Sequence, residues 1–222
     1  GGEEDENPFD EGDKSVYLYV GKDAKPGFQY KMEDILSKQE LYGAPVVVET
    51  FENTDDEAIR AVVWAKDAGV VMFPPFYSYP GFGAAASRDL RNFVRHGFKK
   101  SGTLLFVGGG LEIKVLNDVF GFQIHPSYVK GPYYKDERYA REGSPFEPLP
   151  SMIPEAGNVF GMRMSTLPPG ARSFYDSFGV SVACCVRVGL GRVCFLAQDF
   201  LDVVRDEIGP WATLLEALMN YE

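Results

Sequence analysis

Short apolar runs alternate with longer stretches whose apolar residues recur three and four apart, and this alternation organises the first half of the chain. Val16–Val20 (VYLYV) has the length and composition of a buried strand. A glycine- and proline-bearing loop follows, then a helix predicted across Tyr30–Gln39 with Met32, Ile35 and Leu36 on one side. The β-branched run Pro45–Thr50 predicts a second strand. Asn53 or Thr54 can cap the next helix, whose first turn holds Asp55, Asp56 and Glu57 against the positive end of its dipole. Ile59, Val62, Val63 and Lys66 track its inner face, and Gly69 ends it. Val70–Phe73 is the third strand and leaves through a long aromatic loop, PPFYSYPGFGAAA. A helix over Arg88–Arg95 follows, with Ser87 as cap, Leu90, Phe93 and Val94 as its core stripe, and Gly97 after its end. Thr103–Val107 then runs into Gly108-Gly109-Gly110 and a helix over Leu111–Val119. Strands alternating with helices in this order predict a parallel sheet covered on both faces by right-handed crossovers.

The texture changes after Gly121. Gln123–His125 reads as a short strand, and residues 126–160 are rich in proline and aromatics without steady period. A loop of that length in a folded domain is functional or packed on a partner. Regularity returns with Val180–Val188 and Arg192–Ala197, which flank Gly189-Leu190-Gly191 as an antiparallel hairpin. A three-residue loop sets Val186 opposite Cys194 and makes a hairpin disulfide unfavoured. A last helix begins near Pro210 and carries Trp211, Leu214, Leu215, Leu218 and Met219 at helical spacing. The fold class expected is therefore α/β, a flavodoxin-like three-layer sandwich. It has a mostly parallel sheet, a C-terminal β-hairpin and a long irregular insertion over 126–175.

Charge changes the picture at one end only. The net charge is −10, and Glu3, Glu4, Asp5, Glu6, Asp10, Glu11 and Asp13 all precede Lys14. So acidic a segment, so poor in apolar residues, cannot bury enough surface to order itself, so residues 1–14 are expected to form a disordered acidic tail ahead of one domain over 15–222. The tail is either a solvated terminus or a docking arm for a basic partner. Direct nucleic-acid binding is disfavoured, because neutralising phosphates needs a basic surface. With 45% apolar residues, no run approaches the roughly 18 that a membrane helix needs, so no membrane span is expected. The chain starts Gly-Gly, which suggests a processed or trimmed form from which a targeting segment is already gone.

Three cysteines, Cys184, Cys185 and Cys194, make a poor disulfide framework and suggest a reducing compartment, the cytoplasm or an organelle interior. With only His96 and His125 to join them, a zinc site is disfavoured. Buried thiols packing as small hydrophobes are the default. No cofactor is expected, since the glycine run lacks the G-x-G-x-x-G spacing of a dinucleotide site.

The motifs "VVMFPPF", "SRDLRNFVRHG", "GTLLFVGGG", "LND-FGF" and "GLGRVCFLAQDFLD", in this order, resemble the class I glutamine amidotransferase-like superfamily, and most its ThuA-like branch without amidotransferase activity. The resemblance covers roughly residues 15–222, with 126–175 unmatched. In the amidotransferases the strand matching Thr103–Val107 leads to a tight turn holding a nucleophilic Cys, and a catalytic His follows the late strand. Here the turn is Gly108-Gly109-Gly110 and Gln198 stands at the His position. Glycine supplies no attacking atom, and Gln shuttles no proton near neutral pH. No catalytic residue of that pattern is present.

The expected crest of the sheet gathers Tyr77, Tyr79, Gly108, Gly109, Gly110, Glu112, Gln198 and Asp199, with Glu52 and Asn53 beside them. The glycine amides could hold an anion at the helix start, or serve only tight packing. Tyrosines beside carboxylates suit a sugar-like ligand, with Glu112 and Asp199 as an acid–base pair if their separation allows, or else they are ordinary surface and cap polarity. Tyr128, Tyr133, Tyr134 and Arg138 have the composition of a protein interface, or of a self-packed loop. His125 reads as a lone loop histidine. The leading expectation is a binding or assembly module, with a protein partner or a second copy of the chain. The alternative is an enzyme or sensor for a carbohydrate-like small molecule.

Overall fold

A computed structural model describes residues 14–96, 102–157, 159–203 and 206–222. The acidic tail and Gly97 lie outside the described residues. The parallel half of the fold is built from β1 (Ser15–Tyr19), α1 (Phe28–Leu36), the small pair β2 (Glu40–Leu41) and β3 (Ala44–Pro45), and β4 (Val47–Phe51). It continues with α2 (Asp56–Val63), β5 (Ala68–Phe73), α3 (Ala84–His96), β6 (Thr103–Val107) and α4 (Gly110–Phe120). The remainder comprises β7 (Pro126–Tyr128), β8 (Tyr133–Lys135), β9 (Met152–Ile153), β10 (Phe160–Arg163), β11 (Ala171–Ser177), β12 (Val180–Val188), β13 (Gly191–Leu196) and α5 (Ile208–Met219).

Strand order in the main sheet is β4-β1-β5-β6-β13-β12-β11-β8-β9, with β10 paired to β12 and β7 paired to β10. From β4 to β13 neighbouring strands run parallel, and from β13 onward they run antiparallel. Every residue of β6 and β13 is buried, as strands covered on both faces require. Helices α2, α3 and α4 pack side by side in one layer, while α5 lies against β12 and takes the Gln39 amide, just past α1, on its Ala212 carbonyl at 2.7 Å. The three-layer α/β sandwich predicted from the pattern is the observed fold.

Local differences have local causes. The α2 cap is Asp55, whose Oδ1 accepts from the amides of Glu57 and Ala58, rather than Asn53 or Thr54. Gly69 lies inside β5 and does not end α2, which stops at Val63. Helix α3 starts at Ala84 and not near Ser87, because Asp56 of the neighbouring helix accepts the Ala86 amide at 2.8 Å. This cap comes from another helix, which no local pattern reveals. Gln123–His125 is not a strand. Asn117 instead brackets Ile124 through both its side-chain atoms, and pairing begins at Pro126.

The 126–175 region is not irregular throughout. It holds four short strands, β7 to β10, and β11, a seven-residue strand, begins within it at Ala171. Its loop over 146–149 is anchored by Lys135, whose ammonium donates to the carbonyls of Phe146, Glu147 and Leu149 at 3.5, 3.3 and 2.8 Å. Phe146 stacks on Phe174 of β11 with ring centroids 4.0 Å apart, tying the insertion to the sheet.

The hairpin corrects the cysteine expectation. Gly191 pairs with Val188, so the loop holds two residues rather than three and the register moves by one: Cys194 faces Cys185. Their Cα atoms are 4.1 Å apart and the two are joined by a disulfide, while Cys184, on the opposite face, is a buried free thiol. The cysteines therefore no longer point to a reducing compartment. Among the described residues no helix is long and apolar enough to cross a membrane, and no cluster of His, Cys, Asp and Glu could hold a metal ion.

Candidate functional site at the glycine turn

β6 delivers Gly108-Gly109-Gly110 to the carboxyl edge of the parallel strands, where α4 begins. Gly108 has φ +146°, a conformation that L side chains rarely adopt, and its amide donates to Leu196 of β13 at 3.0 Å. The space beside the turn is occupied from within. Glu112, in the first turn of α4, folds back so that Oε2 accepts the Gly109 amide and Oε1 the Phe76 amide, each at 2.5 Å. A Cβ on Gly108 would meet the Glu112 carboxyl carbon at 2.4 Å.

Glu112 is only 3% exposed. Burial pushes its carboxyl above the ordinary range, although the two amides and the charge of Lys25 pull the other way. The two amides it takes come from different loops, one after β5 and one after β6. Glu112 therefore staples the exit loops of adjacent strands together, and both its oxygens are engaged. The loop after β1 joins the same arrangement: Ala24 bridges Phe76, Asp23 accepts from Ser78 Oγ at 2.6 Å, and the Lys25 amide donates to the Pro75 carbonyl.

From outside, the insertion packs against the turn, whose three glycines remain partly exposed. β12 has nine residues; 183–188 pair with β13, and its first residues project past the end of β13, where Val180 and Ser181 pair with β10 instead. β10 in turn carries β7. This flap brings Phe160 to 3.4 Å from the position of a Gly109 Cβ, and Pro126 to 3.7 Å from that of Gly110. Gly161 must be glycine for the same reason, since its Cβ would lie 2.2 Å from the Ser181 carbonyl oxygen.

Gln198, after β13, is buried. Its Oε1 accepts the amides of Asp199 and Phe200 at 3.0 and 3.1 Å, and its Nε2 donates to Ala156 of the insertion at 3.0 Å. Asp199 caps Leu201 and pairs with Lys25 at 3.3 Å. Tyr79 lies with its hydroxyl on Asp118 and its ring under Lys114, and Tyr77 is 76% exposed. The expected crest residues are thus on crest loops, but Glu112, Gln198 and Asp199 all have their oxygens committed to holding loops in place.

Of the interface candidates, Tyr128 and Tyr134 are exposed, and Arg138 is tied to Asp136 by a two-pronged pair. Tyr133 corrects the expectation. It is fully buried, edge-on to Trp211, with its hydroxyl on the Val129 carbonyl. Sequence reasoning also missed Phe160, which is 46% exposed and meets Tyr128 with ring centroids 5.6 Å apart. Its position over the turn depends on pairing between strands far apart in the chain, which leaves no local signal.

No family model matches the chain, and no curated protein matches it. Solved structures do. The cytoplasmic protein STM1381 from Salmonella typhimurium LT2 superposes with a TM-score of 0.58 at 13% identity, over 93% of this chain and 98% of that one. A protein described as ThuA-like from Bacteroides uniformis gives 0.57 at 11%, over 92% and 89%. One described as a GMP synthase subunit from Thermoplasma acidophilum gives 0.52 at 9%, over 93% and 92%. The chain has the class I glutamine amidotransferase-like fold. At these identities the likeness speaks for the fold alone. Within that amidotransferase-like frame, the turn after the central strand holds three glycines, a carboxylate folded beneath them and a β-flap above.

Proposed function

We propose that this chain is a non-catalytic amidotransferase-like module that acts as a binding or assembly subunit. The observation that supports it is the crowding of the glycine turn, with no reactive atom on it, Glu112 underneath and Phe160 and Pro126 packed against it. The flap that packs against the turn also presents exposed aromatic surface in Tyr128 and Phe160. Tyrosine and phenylalanine are enriched at protein interfaces, and tyrosine is among the residues that contribute most when a partner buries a surface. The acidic tail would add long-range attraction to a basic partner.

The test is the mass of the native species isolated without denaturation, for the wild type and for Tyr128→Asp with Phe160→Asp. The assembly reading expects a species heavier than one chain that falls to the single-chain mass in the variant. A monodisperse single chain in both, with no co-purifying protein in stoichiometric amount, would remove this reading.

A second reading keeps the same crest for a carbohydrate-like ligand, favoured by the exposed ring of Tyr77 beside the anchored ring of Tyr79, since aromatic faces are apolar platforms with polar edges. A thermal-shift panel of sugars and sugar phosphates tests it. Stabilisation lost in Tyr77→Ala supports it, and a flat response counts against it.

A further inference from the structure

The opposite rim of the sheet carries a different feature, independent of the glycine turn. Arg172 of β11, Arg187 of β12 and Arg192 of β13 lie at the end where β13 begins, and the cross-strand register puts them on one face. Arg172 pairs with Cys185, which pairs with Cys194, and Arg187 pairs with Arg192 two residues further along both strands. Together with Cys185 and Tyr221 they line a small cavity of about 50 Å³. Arg172, Tyr221 and Glu222 also line a neighbouring cleft of about 300 Å³, together with Arg138, Tyr139, Arg141 and Ser144.

Arg192 is the unusual member. It is 6% exposed, and its Nη1 is buried with no hydrogen-bond partner among the described residues. The neighbouring strand position in register with it, Thr103, likewise buries an unpartnered hydroxyl. The guanidinium lies over the Tyr221 ring, 5.5 Å from its centroid, so the unmet need is that of one nitrogen, and a buried donor left unpaired is costly unless something supplies its acceptor. Burial and the like charge of Arg187 work against its charged form, while Glu222 and Tyr221, which line the same cavity, favour it. Arg172 is positioned by its bond to the Tyr221 hydroxyl and by the Tyr139 ring, 5.5 Å from its guanidinium carbon. Three arginines line this one small cavity, and guanidinium groups donate charge-assisted hydrogen bonds well suited to the oxygens of a phosphate.

We propose that this cleft binds a phosphorylated small molecule, with the phosphate on Arg172, Arg187 and Arg192 and the body of the ligand along Tyr139 and Tyr221. The adjoining cleft is of the size that small ligands occupy. Its walls combine aromatic faces with hydroxyl and guanidinium donors, which suits a polar, ring-bearing ester.

Calorimetric titration of the full chain with ribose 5-phosphate, inorganic phosphate and ribose tests this. Arg187→Ala removes an exposed charge without touching the core, and Arg192→Met replaces the buried cation with an apolar chain of similar length. Saturable binding of ribose 5-phosphate and of phosphate, but not of ribose, is expected. Each substitution should weaken it about tenfold or more, added salt should weaken it too, and Lys114→Ala on the far rim should leave it unchanged. The proposal is overturned if ribose 5-phosphate shows no saturable binding up to about 10 mM, or if ribose binds as well as its phosphate. Binding of inorganic phosphate alone would overturn it too, as would affinity unmoved by both arginine substitutions.

Discussion

The Glu112 carboxyl stands where a side chain on Gly108 would have to go: a Cβ there would approach its carboxyl carbon to 2.4 Å. The two residues define the turn together. Gly108→Ala is expected to destabilise the fold by about 2–4 kcal/mol, from overpacking and from an unfavourable backbone conformation. Gly109→Ala, whose Cβ would meet Phe160 at 3.4 Å, should cost under about 1 kcal/mol. Chemical denaturation of both variants checks the contrast, and equal losses would show that the carboxyl does not hold that space.

Glu112 also makes stability depend on pH in an unusual direction. Its folded-state pKa lies above the ordinary value of 4.5. The folded state therefore holds this proton more tightly than the unfolded chain does. The stabilisation is fully present below pH 4.5 and is lost as pH rises through the folded value. Measured against Glu112→Gln, which cannot titrate, the wild type should have its greatest relative stability in acid and lose that advantage toward neutrality. A difference that grows with pH would mean the two amides outweigh burial.

The parallel half of this fold was legible because its strands, such as Val70–Phe73 and Thr103–Val107, are continuous apolar runs whose burial follows from composition alone. The flap was not. β9 is two residues long and β7 three, and such segments become strands only when β8, β10 and β12 offer partners. The hairpin failed by one residue at Gly191, read as loop although it pairs with Val188, and that single step separated Cys185 from Cys194. At the site, residue types put three glycines at the turn after β6 and Gln198 after β13. They could not show that Glu112 and Gln198 are spent on backbone amides, because those contacts join Phe76 to Gly109 and Ala156 to Phe200 across long stretches of chain.

The cysteines give a count that chemistry can read. Burial raises the Cys184 thiol to about 12, so it is un-ionised at neutral pH and should resist alkylation in the folded protein. Unfolded without reductant, the chain should take up one alkyl group, and after reduction three. Three without reductant would show that Cys185 and Cys194 are not joined.

A glycine turn without a nucleophile or a proton shuttle is the claim on which the proposed function rests, and glutamine hydrolysis by the purified chain tests it most directly. Ammonia release should match the protein-free background and be unaltered by Gln198→Ala. Turnover above background that disappears in Gln198→Ala would contradict it.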